Sequence, residues 1–160
     1  MTEVTIRPAQ SDDVPALDKG LRQLSAGMGD GHRAAPADLR AAGFGAHPAF
    51  QAILAERSGA VVGIVLFSPV FSTVRGGAGV YVSDLWVAAD ARGAGLGARL
   101  LVAARDRAAA LWRARFLRLA VYDDNPRAHA FYARLGFIPQ PGETILTLDG
   151  AGLAALKGDP

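Results

Sequence analysis

A short glycine-rich segment is the part of the sequence with the most chemical content. It reads Arg92-Gly93-Ala94-Gly95-Leu96-Gly97 and lies between an apolar run ending at Val87 and a segment of helical periodicity. Glycines carry no Cβ and reach dihedrals closed to other residues, so several N–H groups can point into one concavity. A helix N-terminus adds about half a positive charge there, and Arg92 adds a full one. The segment therefore predicts an anion cradle of phosphate size.

The spacing of this segment excludes two common phosphate-binding loops. No Gly-Lys-Ser/Thr follows it, and no lysine lies between Lys19 and Lys157, so it is not a P-loop. The glycines are spaced Gly-x-Gly-x-Gly and follow a predicted hairpin, which differs from a dinucleotide-binding βαβ unit. The alternative is that the segment is only a turn of the chain and binds no ligand. Three glycines and an arginine exceed what a turn needs, which favours anion binding.

The elements that position this loop follow from hydrophobic periodicity and turn residues. Alternation predicts a strand at residues 4–7, and Ser11 begins an N-cap segment for a helix near Val14, followed by a short helix from Pro36. Further predicted elements are a hairpin of strands 50–56 and 61–67 closed by Pro69, a central strand 80–87, a helix 95–112, a strand 116–121, a helix 126–135 and a last strand 144–148. Interleaved strands and helices indicate a mixed α/β class, and 160 residues suit one domain, 1–160.

Composition excludes several function classes. The chain has no cysteine, which removes a disulfide framework, a thiolate zinc site and a cysteine nucleophile. Histidines 32, 47 and 129 include no pair at the spacing of a helical metal site, so no metal is expected. The apolar runs are too short to span a membrane, and Glu3 stands where a signal peptide would be basic, so a cytoplasmic location is expected. Scattered arginines without interleaved aromatics predict no nucleic-acid partner.

Two motifs together resemble the GNAT superfamily of acetyl-coenzyme A-dependent N-acetyltransferases. The superfamily's acyl-CoA signature is similar to Arg92, Gly95 and Gly97. Its late helix, Asn-x-x-Ala-x-x-Phe-Tyr-x-x-x-Gly-Phe, is similar to the segment 125–137, which contains Tyr132. The resemblance implies a GNAT fold, in which a mixed, mostly antiparallel sheet is splayed at the acetyl-CoA site and helices cover both faces.

Within the superfamily, most of the chain resembles the spermidine/spermine (diamine) acetyltransferase branch. The similar segments are 39–56 at the first hairpin, 80–87 at the central strand and 146–156 at the C-terminus. Branch members that act on polyamines tend to carry Glu where this chain has Ser83, while the following Asp84 is kept. A polycation pocket is therefore supported only in part.

The resemblance implies a set of acetyl-CoA contacts. The pyrophosphate would lie on the loop N–H groups, and the pantetheine would run along a strand edge and beside the late helix. The implied cofactor-binding residues are Leu85, Val87, Arg92, Gly93, Ala94, Gly95, Leu96, Gly97, Ala98, Asn125, Ala128, Phe131 and Tyr132. Asn125 also suits the N-cap before Pro126, and the two roles are compatible.

Catalysis in this family implies direct transfer within a ternary complex. A neutral amine must attack, and the departing thiolate must be protonated. Tyr132 matches the usual general acid because its neutral hydroxyl can donate; the alternative is a tyrosine packed on the core. Asp84 lies mid-strand in an apolar run, so it should be paired or face the cleft as substrate binder or base through water. The candidate substrate-binding residues are Asp30, Ser83, Asp84 and Glu143.

The expected function is therefore acetyl transfer from acetyl-CoA to a primary amine of a small molecule, with polyamines or diamines leading and amino-acid-like amines and aminoglycosides following. The alternatives are a protein N-terminal or lysine acetyltransferase, and a non-catalytic acyl-CoA sensor. The resemblance also implies a homodimer paired through the C-terminal region, 144–156.

Overall fold

The computed structural model describes residues 3–158, which form two compact units divided between Tyr122 and Asp123. The first unit contains β1 (Val4–Pro8), α1 (Val14–Met28), α2 (Pro36–Phe44), β2 (Gln51–Arg57), β3 (Ala60–Ser72), β4 (Gly77–Val87), α3 (Leu96–Trp112) and β5 (Leu117–Arg118), with short 3-10 helices at Ser11–Asp13 and Ala89–Ala91. The second contains α4 (Pro126–Arg134) and α5 (Gly150–Ala155). The single domain expected from the sequence stays a prediction.

The five strands form one sheet in the order β1-β2-β3-β4-β5. Strands β1 to β4 pair antiparallel with their neighbours, while β4 and β5 pair in parallel. The β3–β4 register shifts at Leu66/Phe67, where Phe67 faces Val82 and Leu66 faces Asp84. Ser83 is thus the extra residue of a β-bulge. The predicted mixed α/β class with a mostly antiparallel sheet is confirmed.

Helices pack on both faces of this sheet. On one face, Leu17 and Leu21 of α1 share a buried cluster with Ile64 and Trp86. Alternate strand residues point to opposite faces, and on the other face Gly63 lies so close to α3 that a Cβ there would meet Leu100 Cδ1 at 2.9 Å. The crossover from β4 to α3 therefore carries the chain from within the sheet to the second face, and the glycine loop lies in that crossover.

Three predicted strand boundaries are wrong. Pro69 does not close β3, which continues to Ser72. Strand β2 begins at Gln51, which pairs with Phe67. Beyond Phe67, β3 therefore has no strand on its β2 side among the described residues. A proline, which has no N–H to donate, is tolerated on such an edge.

The predicted strand 116–121 is only Leu117–Arg118, because its pairing with β4 ends there. The predicted strand 144–148 is irregular and exposed, since no strand lies beside it in the described part of the second unit. Alternating hydrophobicity alone does not provide a pairing partner.

Two sequence exclusions can be compared with the described residues. Within residues 3–158, no helix has the length and apolarity to cross a membrane. In the same range, no three histidine, aspartate or glutamate side chains are grouped as a metal site would require. The cytoplasmic location stays a prediction.

Candidate active site

The glycine loop has the backbone conformation that its composition predicts. Gly93 and Gly95 have φ of 84° and 72°, in the left-handed region that favours glycine, and Gly95 caps the N-terminus of α3. A Cβ built on either residue would have no heavy atom within 4 Å. The loop is therefore open on the side where its missing side chains would lie.

The N–H groups of this loop are free to bind a ligand. Arg92 donates its N–H to the Ala89 carbonyl at 3.4 Å, and the next intrachain bond is from Arg99 N–H to the Gly95 carbonyl at 3.1 Å. Between them, the N–H groups of residues 93–98 donate to no acceptor among residues 3–158. Unpaired donors at a helix N-terminus, where the dipole is positive, suit a phosphate.

Arginines add positive charge beside the loop. Arg92 Nε donates to the Val87 carbonyl at 3.0 Å, which fixes this side chain at the end of β4. Arg57, Arg92 and Arg99 line a pocket of about 100 Å³ together with Asp90, which pairs with Arg57. Sequence analysis missed Arg57 and Arg99, since neither belongs to a motif.

The edge of β4 lies open next to this loop. Parallel pairing joins Val80 to Leu117 and Tyr81 to Arg118 and goes no further. From there to Val87, the side of β4 turned away from β3 has no partner strand among the described residues. Leu85 and Val87 lie half-buried on this edge. An open strand edge presents N–H and C=O groups that an extended, amide-containing ligand can pair with.

Ser83 and Asp84 lie at the bulge where the edge opens. Ser83 is exposed and donates its hydroxyl to the Leu66 carbonyl at 3.5 Å. Asp84 is half-buried, with no ion pair or hydrogen bond to its carboxylate among residues 3–158. Of the two predicted environments for Asp84, pairing within the described chain is therefore absent. A carboxylate in this position can accept a hydrogen bond from an incoming amine.

The loop between α1 and α2 carries Asp30, another predicted substrate residue. Its Oδ2 accepts a hydrogen bond from the Tyr122 hydroxyl at 2.9 Å. Tyr122 lies four residues after β5, so this bond ties the α1–α2 loop to the segment that follows β5. Sequence analysis missed Tyr122, because the bond joins residues 92 positions apart.

The second unit holds the late-helix residues. Asn125 accepts the Ala128 N–H at 3.0 Å, so its predicted N-cap role is confirmed. The Tyr132 ring makes edge contacts with Phe131 and Phe137, at centroid distances of 5.0 Å and 5.3 Å. Burial raises the pKa of the Tyr132 hydroxyl above its ordinary value. This hydroxyl is therefore neutral near pH 7 and able to donate a proton.

Glu143 lies in the irregular part of the second unit. It is exposed and lies between α4, which ends at Arg134, and α5, which begins at Gly150. The structure describes no hydrogen bond or ion pair for its side chain. The assignment of Glu143 to substrate stays a prediction from the resemblance.

An open loop of unpaired N–H groups at a helix N-terminus, next to an open strand edge, suits an extended, phosphate-bearing ligand. A model of the Acetyltransferase (GNAT) family matches residues 21–137. A curated relative, the thialysine N-epsilon-acetyltransferase of Sus scrofa, is 30% identical over 146 residues, which cover 85% of each chain.

Solved structures share the fold. An integron cassette protein from the mobile metagenome of V. cholerae has a TM-score of 0.78 at 23% identity, covering 96% of both chains. An aminoglycoside N-acetyltransferase solved in complex with CoA has a TM-score of 0.75 at 16% identity, covering 94% of this chain and 97% of its own. The present chain belongs to the Acetyltransferase (GNAT) family, and it is an acetyltransferase.

Proposed function

We propose that this enzyme transfers an acetyl group from acetyl-CoA to a primary amine of a small molecule, directly and within a ternary complex. The observation that carries the proposal is the combination of unpaired N–H groups at residues 93–98 with the open edge of β4 beside them. Membership of an acetyltransferase family supports acetyl-CoA as the donor. The family match also spans residues of both units, which supports a single functional domain.

The residues present fit acetyl-CoA, which supplies an acetyl thioester and carries a pyrophosphate and two amides. The N–H groups from Gly93 to Ala98, with Arg92 beside them, would hold the pyrophosphate, as the open loop and its positive dipole favour. The β4 edge at Leu85 and Val87 would pair with the amides. Asn125, Ala128, Phe131 and Tyr132 are proposed to complete the cofactor contacts from the late helix.

The acceptor amine must be neutral to attack, because an ammonium group has no lone pair. Asp84 is proposed to bind the amine or to accept its proton through water. Its half-buried carboxylate has no partner in the described chain, so both of its oxygens are available to accept hydrogen bonds from the amine or from water. Ser83, Asp30 and Glu143 are proposed as further acceptor contacts. A serine at position 83 leaves one carboxylate fewer than the polyamine-acting branch members carry.

Tyr132 is proposed as the general acid. Its raised pKa keeps the hydroxyl protonated, so it holds a proton for the departing sulfur. The proton that the amine loses leaves through Asp84 or water, and one CoA thiol is formed per acetylated amine. No residue of the chain becomes acetylated in this scheme.

The proposed acceptors are polyamines or diamines and amino-acid-like amines. The acidic residues Asp30 and Asp84 favour a cationic substrate that loses one proton on binding. The name of the Sus scrofa relative, a thialysine acetyltransferase, supports the amino-acid-like class.

A panel of acceptors tests this proposal. CoA-thiol release is measured with acetyl-CoA and spermidine, putrescine, thialysine, an aminoglycoside or a peptide with a free N-terminus, and products are identified by mass. Turnover of a small amine is expected. Turnover of peptides alone would make the enzyme a protein acetyltransferase, and tight CoA binding without any turnover would indicate a sensor.

We also propose a homodimer that pairs through the second unit. Several large apolar side chains there are more than half exposed in the single chain: Ile138, Ile145, Leu146, Leu148, Leu153 and Leu156. Apolar surface of this density on a single chain is typical of an interaction site.

A further inference from the structure

The loop between α1 and α2, residues 29–35, is fastened to α1 at several points. Asp30 N–H donates to the Ser25 carbonyl at 2.9 Å, and Arg22 Nη2 donates to the Ala34 carbonyl at 3.4 Å. Between these two bonds lies His32, whose side chain is only 13% exposed. The imidazole therefore lies at the middle of the contact between the loop and α1.

Two α1 side chains face this imidazole, and a third, Arg22, pairs with one of them. Its Nδ1 is 3.4 Å from Ser25 Oγ, and its Nε2 is 3.4 Å from Asp18 Oδ1. Both Nε2 and Oδ1 are buried and have no hydrogen-bond partner among the described residues. The other Asp18 oxygen accepts from Arg22 Nε at 2.8 Å. Two buried polar atoms thus face each other without a bond, which is unfavourable unless a proton lies between them.

A proton on Nε2 decides whether that bond forms. Arg22 lowers the pKa of Asp18, so Asp18 is a carboxylate that can only accept. An imidazole that carries its proton on Nε2 donates to Asp18 Oδ1, and its Nδ1 can then accept from the Ser25 hydroxyl. The geometry therefore favours a ring that bonds to α1 through both nitrogens.

Asp30, a proposed acceptor contact, lies two residues before His32 in the same loop. Its Oδ2 accepts from the hydroxyl of Tyr122, four residues after β5. The position of Asp30 thus depends on a loop that is tied to α1 through His32. A change at His32 should move the acceptor contact while leaving the residues 93–98 untouched.

We propose that His32 is a positioning residue for acceptor binding: its Nε2–H donates to Asp18 and holds the 29–35 loop so that Asp30 keeps its position as an acceptor contact. This inference rests on the proposed amine acetylation. It predicts that acceptor affinity, and not CoA affinity, depends on the bond between His32 and Asp18.

The first test compares three variants with the wild type across pH 6 to 8.5. His32→Ala removes the bond, His32→Gln keeps an uncharged donor near the Nε2 position, and His47→Ala changes an exposed histidine outside the loop as a matched control. The readout is the acceptor KM of each variant divided by that of the wild type at the same pH, so the titration of the amine cancels.

His32→Ala should raise the acceptor KM about tenfold at every pH tested, the effect of losing one charge-assisted hydrogen bond. His32→Gln should stay near the wild-type value, because its amide can still donate to Asp18. The KM for acetyl-CoA should not change, and His47→Ala should give a ratio near one throughout.

A second readout needs no activity. Trypsin cleaves after Arg33, an exposed residue of the same loop, and the fragment is identified by mass. His32→Ala should be cleaved there several-fold faster than the wild type and than His47→Ala. An acceptor KM ratio near one for His32→Ala with normal turnover, or unchanged cleavage at Arg33, would overturn the role of His32 alone. No turnover of any amine by the wild type would instead overturn the proposed function, and the role of His32 with it.

Discussion

At the residue scale, the proposed acid and the proposed carboxylate have different environments, each within its own unit. Tyr132 is held between two phenylalanine rings, and burial raises the pKa of its hydroxyl. Asp84 is half-buried at a bulge with no partner in the described chain. An acid that stays protonated and a carboxylate that stays accessible suit the two proton movements of amine acetylation.

Replacing Tyr132 by phenylalanine tests the acid. Tyr132→Phe keeps the ring contacts and removes the proton, so kcat should fall about a hundredfold while the CoA affinity stays nearly unchanged. Tyr81→Phe, at the last β4–β5 pair, is the matched control and should keep the wild-type kcat. Wild-type turnover by Tyr132→Phe would remove the acid role from this residue.

The pH profile tests the same assignment independently. A raised pKa means that the hydroxyl loses its proton only above the usual range of tyrosine. The alkaline fall of the wild-type kcat should therefore occur above that range, and Tyr132→Phe should lack it. A fall at the ordinary tyrosine pKa or below would contradict the burial argument.

Residue types and spacing predicted some of these contacts well. The glycines of the loop and the asparagine cap act on backbone groups within a few residues of themselves. A short stretch of sequence is therefore enough to predict these contacts. The bonds from Tyr122 to Asp30 and from Arg57 to Asp90 join residues 92 and 33 positions apart. Such contacts depend on how the elements pack, which no local pattern specifies.

At the element scale, an ion network ties the first strand to the start of α1. Arg7 on β1 donates two hydrogen bonds to Asp13, at 2.7 Å and 2.8 Å, and two to Glu56 on β2, at 3.0 Å and 2.9 Å. The bonds from Arg7 lower the pKa of Asp13. Paired, half-buried charges of this geometry fix the position of α1 on the sheet.

Replacing Asp13 should therefore destabilise the protein in a pH-dependent way. A lowered folded-state pKa gives stability that is present above the ordinary aspartate pKa and is lost as the pH falls through the folded value. Asp13→Asn should reduce the free energy of unfolding by about 1–2 kcal/mol at pH 7 and by little near pH 2. Urea unfolding at both pH values measures this.

The exposed neighbour Asp12 supplies the control for that comparison. Asp12→Asn lies in the same 3-10 helix and should change the unfolding free energy by less than about 0.5 kcal/mol at either pH. Equal destabilisation by both variants, or a loss that does not depend on pH, would show that the Arg7 network does not stabilise the fold.

Strand prediction shows what local patterns omit at this scale. The β2–β3 hairpin and the β4 strand were predicted because their residues alternate and their turns are short. The segments 116–121 and 144–148 have similar patterns, yet β5 pairs over two residues and 144–148 has no neighbouring strand in its unit. The early end of β5 is the feature that opens the sheet, so the opening itself was expected only from the family resemblance.

At the scale of the whole molecule, the exposed apolar side chains of the second unit predict self-association. Leu146 is 87% exposed, and Leu146→Asp should convert a dimer to a monomer in sedimentation velocity at micromolar concentration. Val74, at the tip of the β3–β4 hairpin, is 96% exposed, and Val74→Asp is the matched control that should remain dimeric. A monomeric wild type would remove the dimer proposal.

The central claim is that the glycine loop beside β4 holds the cofactor of an acetyltransferase. Gly95 and Gly59 have almost the same φ, 72° and 76°, and neither has an atom near its missing Cβ, but Gly59 lies in the β2–β3 turn. Valine is equally strained at both positions, so the pair separates backbone strain from ligand contact.

Calorimetric titration with CoA is the most direct measurement. The wild type should bind one CoA per chain, Gly95→Val should bind it at least about tenfold more weakly because side-chain atoms fill the cradle, and Gly59→Val should bind it like the wild type. Equal CoA affinity of Gly95→Val and Gly59→Val would show that the loop is only a turn, and would contradict the account.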